Sequence, residues 1–175
     1  MAETGRSIIL IDADLRKSVL IGRCKVNQVV KGLTYYLSGI NTEENIIYPT
    51  NIDKLHMIFS GPTPPNPSEL LEGEKFSVLV KSLSERYDYV IIDTPPLGSV
   101  IDAAVVARVC HGIAIVIEAN KISYKFAQKI KQQIDKSGCK ILGVILNKVD
   151  FNEKGFYGKY YGKYYGKYQG VYEDL

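Results

Sequence analysis

Short apolar runs that stop at a polar residue recur along the chain. Ser7–Ile11 runs into Asp12, Tyr89–Ile92 into Asp93, Ile113–Ile117 into Glu118, and Ile141–Leu146 into Asn147. Each is rich in Ile and Val and apolar on both faces, the pattern of parallel strands covered by helices on each side. Leu55–Phe59 is a weaker fifth candidate. Helical patterns lie between these runs. Ser68 stands where it can cap a helix beginning at Glu69. Phe76, Leu79, Val80 and Leu83 form an apolar stripe before Tyr87, and Ile101–Val109 reads as a second, more apolar helix. Ser123–Lys136 carries Phe126, Ile130 and Ile134 on one face and is stopped by Gly138. Strand and helix in alternation predict an α/β domain with a parallel sheet and helices on both faces.

The pattern changes after residue 150. Residues 157–168 read YGKYYGKYYGKY, a repeat with no Leu, Ile or Val, which cannot bury a core. The expected organisation is therefore an ordered domain over 1–150 and a flexible tyrosine-rich tail over 151–175. Upstream, Gly61–Pro67 reads as a rigid, proline-fixed loop. The chain of 175 residues is long enough for one domain with a real core, and 46% apolar with 23% charged residues argues against disorder of the whole. The net charge of +3 is accounted for by residues 152–170, with four Lys against one Glu. A neutral body with a basic tail does not resemble a nucleic-acid-binding surface. Cys24, Cys110 and Cys139 are far apart and read as small buried thiols of a reducing compartment. Two His make a zinc site improbable. The apolar runs are far shorter than the ~20 residues of a spanning helix, and a cytoplasmic setting is expected.

Three polar signals stand at strand ends, and in a parallel sheet those ends share the edge beyond which ligands bind. They are Asp12-Ala13-Asp14-Leu15-Arg16-Lys17, Asp93-Thr94-Pro95-Pro96 and Asn147-Lys148-Val149-Asp150. A carboxylate ending an apolar strand, as in Ile91-Ile92-Asp93, has the form of a magnesium-holding Asp. The same residue type also caps turns. Of Asp12 and Asp14, one is placed to approach a metal and the other to accept a proton from an attacking hydroxyl, with Arg16 and Lys17 suited to phosphate oxygens. A charged turn whose acids and bases pair with each other is the competing reading. Asn147 is a candidate partner for a nucleotide base, or an ordinary turn residue. Tyr157, Tyr160, Tyr161, Tyr164, Tyr165, Tyr168 and Tyr172 are seven of the 13 tyrosines. Exposed on a mobile chain, they would be accessible phosphate acceptors, each phosphate adding ~1.5 to 2 negative charges. The alternative is an adhesive low-complexity segment.

These residues resemble the motifs of a known family, the bacterial tyrosine kinases. Asp12–Lys17 looks like their Walker A′ motif and Ile91–Pro96 like their Walker B motif. Gly61–Leu71 resembles the segment between the two, and the tail resembles their tyrosine cluster. The order matches over nearly the whole chain. The form without a fused membrane segment is similar to the capsule and exopolysaccharide kinases of Gram-positive bacteria. The resemblance implies a P-loop NTPase-like fold related to the deviant Walker ATPases of the MinD/ParA type. It implies transfer of the ATP γ-phosphate, with Mg2+, to tail tyrosines of a neighbouring subunit in a homo-oligomeric ring. By position, Asp12 and Asp93 would serve Mg2+, Asp14 would help activate the tyrosine hydroxyl, Arg16 would meet phosphate, and Asn147 would lie near the adenine. The family implies a membrane-anchored activator of the polysaccharide chain-length determinant type. Contact with the inner face of the plasma membrane would come only through that partner.

One feature of the family is missing. Its Gly-rich Walker A loop, G-x-x-x-x-G-K-[ST], which cradles the phosphates upstream of the Walker A′ strand, has no counterpart here. The expectation is a sheet that lacks the family's first strand and phosphate loop. The Walker B strand then has an open edge, and the fold is less stable than a complete kinase. Three readings follow: a tyrosine autokinase, whole or fragmentary; a degenerate kinase acting as a phosphorylation substrate; or a MinD/ParA-like positioning ATPase. Membrane-targeting members of that last group end in an amphipathic helix, which the Tyr-Gly-Lys tail is not.

Overall fold

The computed structural model describes residues 1–24, 30–98 and 101–149. Among the described residues six strands form, β1 (Ile8–Asp12), β2 (Tyr48–Pro49), β3 (Leu55–Ile58), β4 (Tyr89–Asp93), β5 (Ile113–Glu118) and β6 (Ile141–Asn147). The helices are α1 (Leu20–Arg23), α2 (Leu33–Leu37), α3 (Pro67–Glu72), α4 (Glu74–Arg86), α5 (Asp102–Ala107) and α6 (Tyr124–Asp135). All five strands expected from the apolar runs are present, each within a residue or two of its expected bounds. The added β2 is an antiparallel edge strand, with Tyr48 opposite Met57 and Pro49 opposite His56. A proline is tolerated there because an edge residue owes no ladder donor.

The strands form two separate pieces. One sheet has the order β2-β3-β1-β4, with β1 parallel to both neighbours; the other is the parallel pair β5-β6. The main core lies on one face of the first sheet. There Ile9 and Ile11 of β1 and Ile58 of β3 meet Leu33 and Leu37 of α2, Leu71 of α3, Phe76, Leu79 and Leu83 of α4, and Val105 and Val106 of α5. Leu10 points the other way, into a smaller cluster of Val30, Met57 and Phe59 covered by Leu20 and Ile21. This is the period of two of a strand buried on both faces.

Strands β4, β5 and β6 depart from the expectation of full burial. Tyr89 and Ile91 of β4 are exposed, as are Val116 of β5 and Leu142, Val144, Ile145 and Leu146 of β6. The reason is geometric. Among the described residues β4 pairs on one edge only, and a cleft of about 1860 Å3 lined by β4, β5, β6 and α6 separates the two sheets. The open edge expected for the Walker B strand is present. The apolar face of α6 also borders this cleft; Ile134 is buried, yet Phe126 is half exposed.

Local corrections are small. Ser68 does not cap α3. Asn66 occupies the cap position with Pro67 as the first helical residue, and its amide donates to Glu69 Oε2 (2.7 Å). Ser123 does cap α6, accepting from Phe126 N. The three cysteines are free, but Cys24 is exposed and only Cys110 and Cys139 are half-buried. Burial pushes the Cys110 thiol up to about 11. Near the ligand edge, Gly32 and Gly61 bring two loops together so closely that a Cβ on Gly32 would strike the backbone of Gly61 and Phe59. Gly61 itself has φ +79°, a conformation that favours glycine.

Candidate active site

Asp12 and Asp93 end adjacent parallel strands and are direct register partners. Strand spacing of about 4.8 Å therefore puts both carboxylates on one edge of the sheet. The pairing continues one residue further, where Ala13 N donates to Asp93 O (2.8 Å). The two Asp sit in different surroundings. Asp93 is exposed, whereas Asp12 is only 1% exposed. Burial raises the Asp12 carboxyl above its ordinary range, and hydrogen bonds from Ser18, the Asp14 backbone and Ser60 oppose that shift. The Ser18 hydroxyl donates to Asp12 Oδ2, and Asp14 N donates to Oδ1 (3.2 Å).

After Asp12 the chain turns. Ala13 and Leu15 are buried and anchor the turn, while Asp14 between them is half-buried. Asp14 Oδ1 accepts from the backbone N–H of Arg16 (3.1 Å) and of Lys17 (3.0 Å). This is the local bonding that short acidic side chains favour in turns. Arg16 is turned away from this carboxylate. Its Nε donates to Asp102 Oδ2 (2.6 Å) and its Nη2 to Asp102 Oδ1 (3.1 Å) and Ser68 Oγ (2.9 Å). The competing reading of a charged turn is thus half right: Arg16 does pair with an acid, but with one 86 positions away.

Asn147 closes β6 opposite Glu118 of β5, and Glu118 and Asp93 both line the cleft. Its Oδ1 accepts from Lys148 N (2.9 Å), which leaves the amide N–H groups for a ligand. Glu118 is held below the usual carboxylate range by Lys148 and Lys121. Tyr157, Tyr160, Tyr161, Tyr164, Tyr165, Tyr168 and Tyr172 lie outside the described residues. Ser18, Ser60, Ser68 and Asp102 belong to the site's surroundings but were not read from the sequence as part of it. Ser18 lies six positions from its partner Asp12, whereas Ser68 and Asp102 meet across 34 positions and only the fold brings them together.

The donors at this edge are carboxylate and hydroxyl oxygens, the hard ligands that Mg2+ takes. Among the described residues no group of three or more His, Cys, Asp or Glu could hold a metal by itself. Mg2+ is commonly held by one or two carboxylates together with water and substrate phosphates. Asp12 and Asp93 fit that role.

The tyrosine-protein kinase CpsD of Streptococcus agalactiae is 44% identical over 164 residues, which cover 91% of this chain and 72% of that protein. This chain belongs to the bacterial tyrosine-protein kinases. It is a P-loop NTPase-like α/β protein of the tyrosine-kinase class. The chain spans 65% and 64% of two further streptococcal relatives of the same name, so less than the full length of each is represented. No family model matches the sequence. Among solved structures, the kinase domain of the Escherichia coli tyrosine kinase ETK superposes with a TM-score of 0.80 at 34% identity, over 85% of this chain and 58% of that one. The septum site-determining protein MinD of Pyrococcus horikoshii, complexed with Mg-ADP, gives 0.72 at 26% identity, over 87% and 62%. The resemblance read from the Asp motifs is thereby established at family level, and the relation to MinD at the level of fold. Among the described residues no helix is long and apolar enough to cross a membrane.

Proposed function

We propose that this chain takes part in ATP-dependent phosphorylation of tyrosines in the tail of a neighbouring copy, in control of capsule or exopolysaccharide synthesis and export. The observation that carries this is the register pairing of Asp12 with Asp93 at the end of β1 and β4, beside the Asp14 turn. Asp12 and Asp93 would hold Mg2+, which when bound neutralises charge on the phosphates being transferred. Asp14 stands as the proton acceptor. Both backbone bonds to it go to Oδ1, so Oδ2 is the oxygen assigned to the proton. The tyrosine oxygen attacks the γ-phosphorus, its proton passes to Asp14, and the bond to the bridging oxygen breaks to release ADP. Asn147 would donate its amide N–H to the adenine. The tyrosines from Tyr157 to Tyr172 are the acceptors. A membrane-anchored activator would bring the protein to the inner face of the membrane.

The residues described account for the metal and acceptor end of the reaction. A second reading, motivated by the seven tyrosines from Tyr157 to Tyr172, makes the chain a phosphorylation substrate of another kinase. Incubation with ATP, Mg2+ and the activator's cytoplasmic tail, followed by phosphotyrosine detection, separates the two. Label on Tyr157–Tyr172 that disappears in Asp12→Ala, Asp14→Ala and Asp93→Ala supports the kinase. Label that forms only when an intact kinase is added supports the substrate.

A further inference from the structure

Asp102 is fully buried at the start of α5 and has no carboxylate chemistry assigned to it. A buried charge needs pairing and hydrogen bonding, and it has both. The Arg16 guanidinium binds it through Nε and Nη2, and the Ser68 hydroxyl donates to Oδ1 (2.6 Å) while accepting from Arg16 Nη2 (2.9 Å). The three side chains close a triangle. They come from three places: the turn after β1, the first turn of α3 and the first turn of α5. The Arg16 pairing holds the Asp102 carboxyl below its ordinary range, and the Ser68 bond adds to this.

The triangle continues through the backbone to the site. The residue whose guanidinium is clamped is the one whose N–H donates to Asp14 Oδ1. A path therefore runs from Asp102 through the Arg16 side chain and backbone to the Asp14 carboxylate. Helix α5 follows β4, the strand that ends in Asp93. The clamp therefore joins the turn after β1 to the helix that follows β4 in the chain. We propose that Arg16 is a positioning residue: its ion pair with Asp102, shared with Ser68, holds the turn that presents Asp14. On this proposal Arg16 acts on the turn, where the sequence reading had it meet phosphate. It rests on the kinase reading for its consequence, but not for its geometry.

The test has two arms on the full chain. Hydrogen exchange is followed at single amides in Asp102→Asn and Arg16→Lys, the second keeping the charge but losing the planar two-point grip. Exchange at the Arg16 and Lys17 amides should rise at least ~5-fold while that of Leu10 and Ile11 in β1 is unchanged. Ile134→Val, a mild core change outside the clamp, controls for general destabilisation and should leave these two amides alone. In the phosphotransfer arm, Asp102→Asn should lower kcat on the order of 10- to 100-fold, with KM for ATP changed less than about threefold. The double variant with Arg16→Lys should be no worse than the single. Unchanged exchange at Arg16 and Lys17 in folded Asp102→Asn overturns the proposal. So does a raised KM for ATP in Arg16→Lys alone with kcat intact, which would make Arg16 a phosphate contact. Absence of phosphotransfer in the unsubstituted chain counts against the kinase reading only, and the exchange arm then decides the clamp.

Discussion

At the scale of single residues, the acids of this protein divide by the direction of their shifts. Asp12 is raised by burial, so the fold favours its protonated form. Its contribution to stability is therefore greatest in acid and is lost as pH rises through its folded value. At neutral pH, Asp12→Asn should melt at the same temperature or higher than the parent, while phosphotransfer falls about 100-fold or more. Millimolar Mg2+ should raise the melting temperature of the parent and leave Asp12→Asn unmoved; equal shifts in both would place the metal elsewhere. Asp102 and Asp88 are lowered, the first by Arg16 and Ser68, the second chiefly by the Ser7 backbone and hydroxyl. Their contribution is present above the unfolded carboxylate range near ~4 and is lost as pH falls through the folded values. Melting temperature should drop below about pH 4, and Asp102→Asn should flatten that drop. Asp12 and Asp93 were legible because an Asp closing an apolar run leaves a local mark, and Asp14 because it follows Asp12 by two residues. Asp102 was hidden because an Asp within an apolar helix pattern reads the same whether it caps, faces water or meets an Arg from 86 positions away.

Among the elements, the contrast between α4 and α6 is the most informative. Both carry apolar stripes at helical spacing. The α4 stripe is buried, with Phe76, Leu79 and Leu83 fully enclosed against β1 and α2. That of α6 has Ile134 enclosed but Phe126 38% exposed beside the cleft. Phe76→Ala should cost roughly 3–5 kcal/mol, whereas Phe126→Ala should cost about 1 kcal/mol or less. Urea midpoints measure both, and equal losses would mean that α6 is packed as firmly as α4. Element type was readable here because periodicity records which face a helix prefers to hide. Whether that face finds a partner depends on what the sheet places opposite, and the α6 pattern holds no record of it. The same limit explains β4–β6, whose apolar runs read as buried strands while their side chains line an open cleft. The short elements β2 and α2 were not anticipated because two to five residues cannot express a period.

For the molecule as a whole, the split sheet sets the order in which parts come undone. The first sheet has a core of its own, with β1 buried along almost its whole length. The β5–β6 pair is two-stranded and parallel, with most of β6 exposed, and an isolated two-stranded arrangement is marginal in water. Its link to the first body runs through the α5–α6 packing and a few contacts beyond it. The amides of Ile115 and Ile145 should therefore exchange at least ~10-fold faster than those of Ile9 and Ile11, because the smaller piece opens without the larger. The open edges have a second consequence. Unpaired apolar strands template pairing with other copies, so light scattering should rise with protein concentration, and Val116→Lys on the exposed face of β5 should suppress it. Matching protection in the two pieces, together with a concentration-independent monomer, would mean that the cleft closes in solution and that β4 and β5 shield each other. Asp93 and Glu118, which both line the cleft, would then stand nearer together.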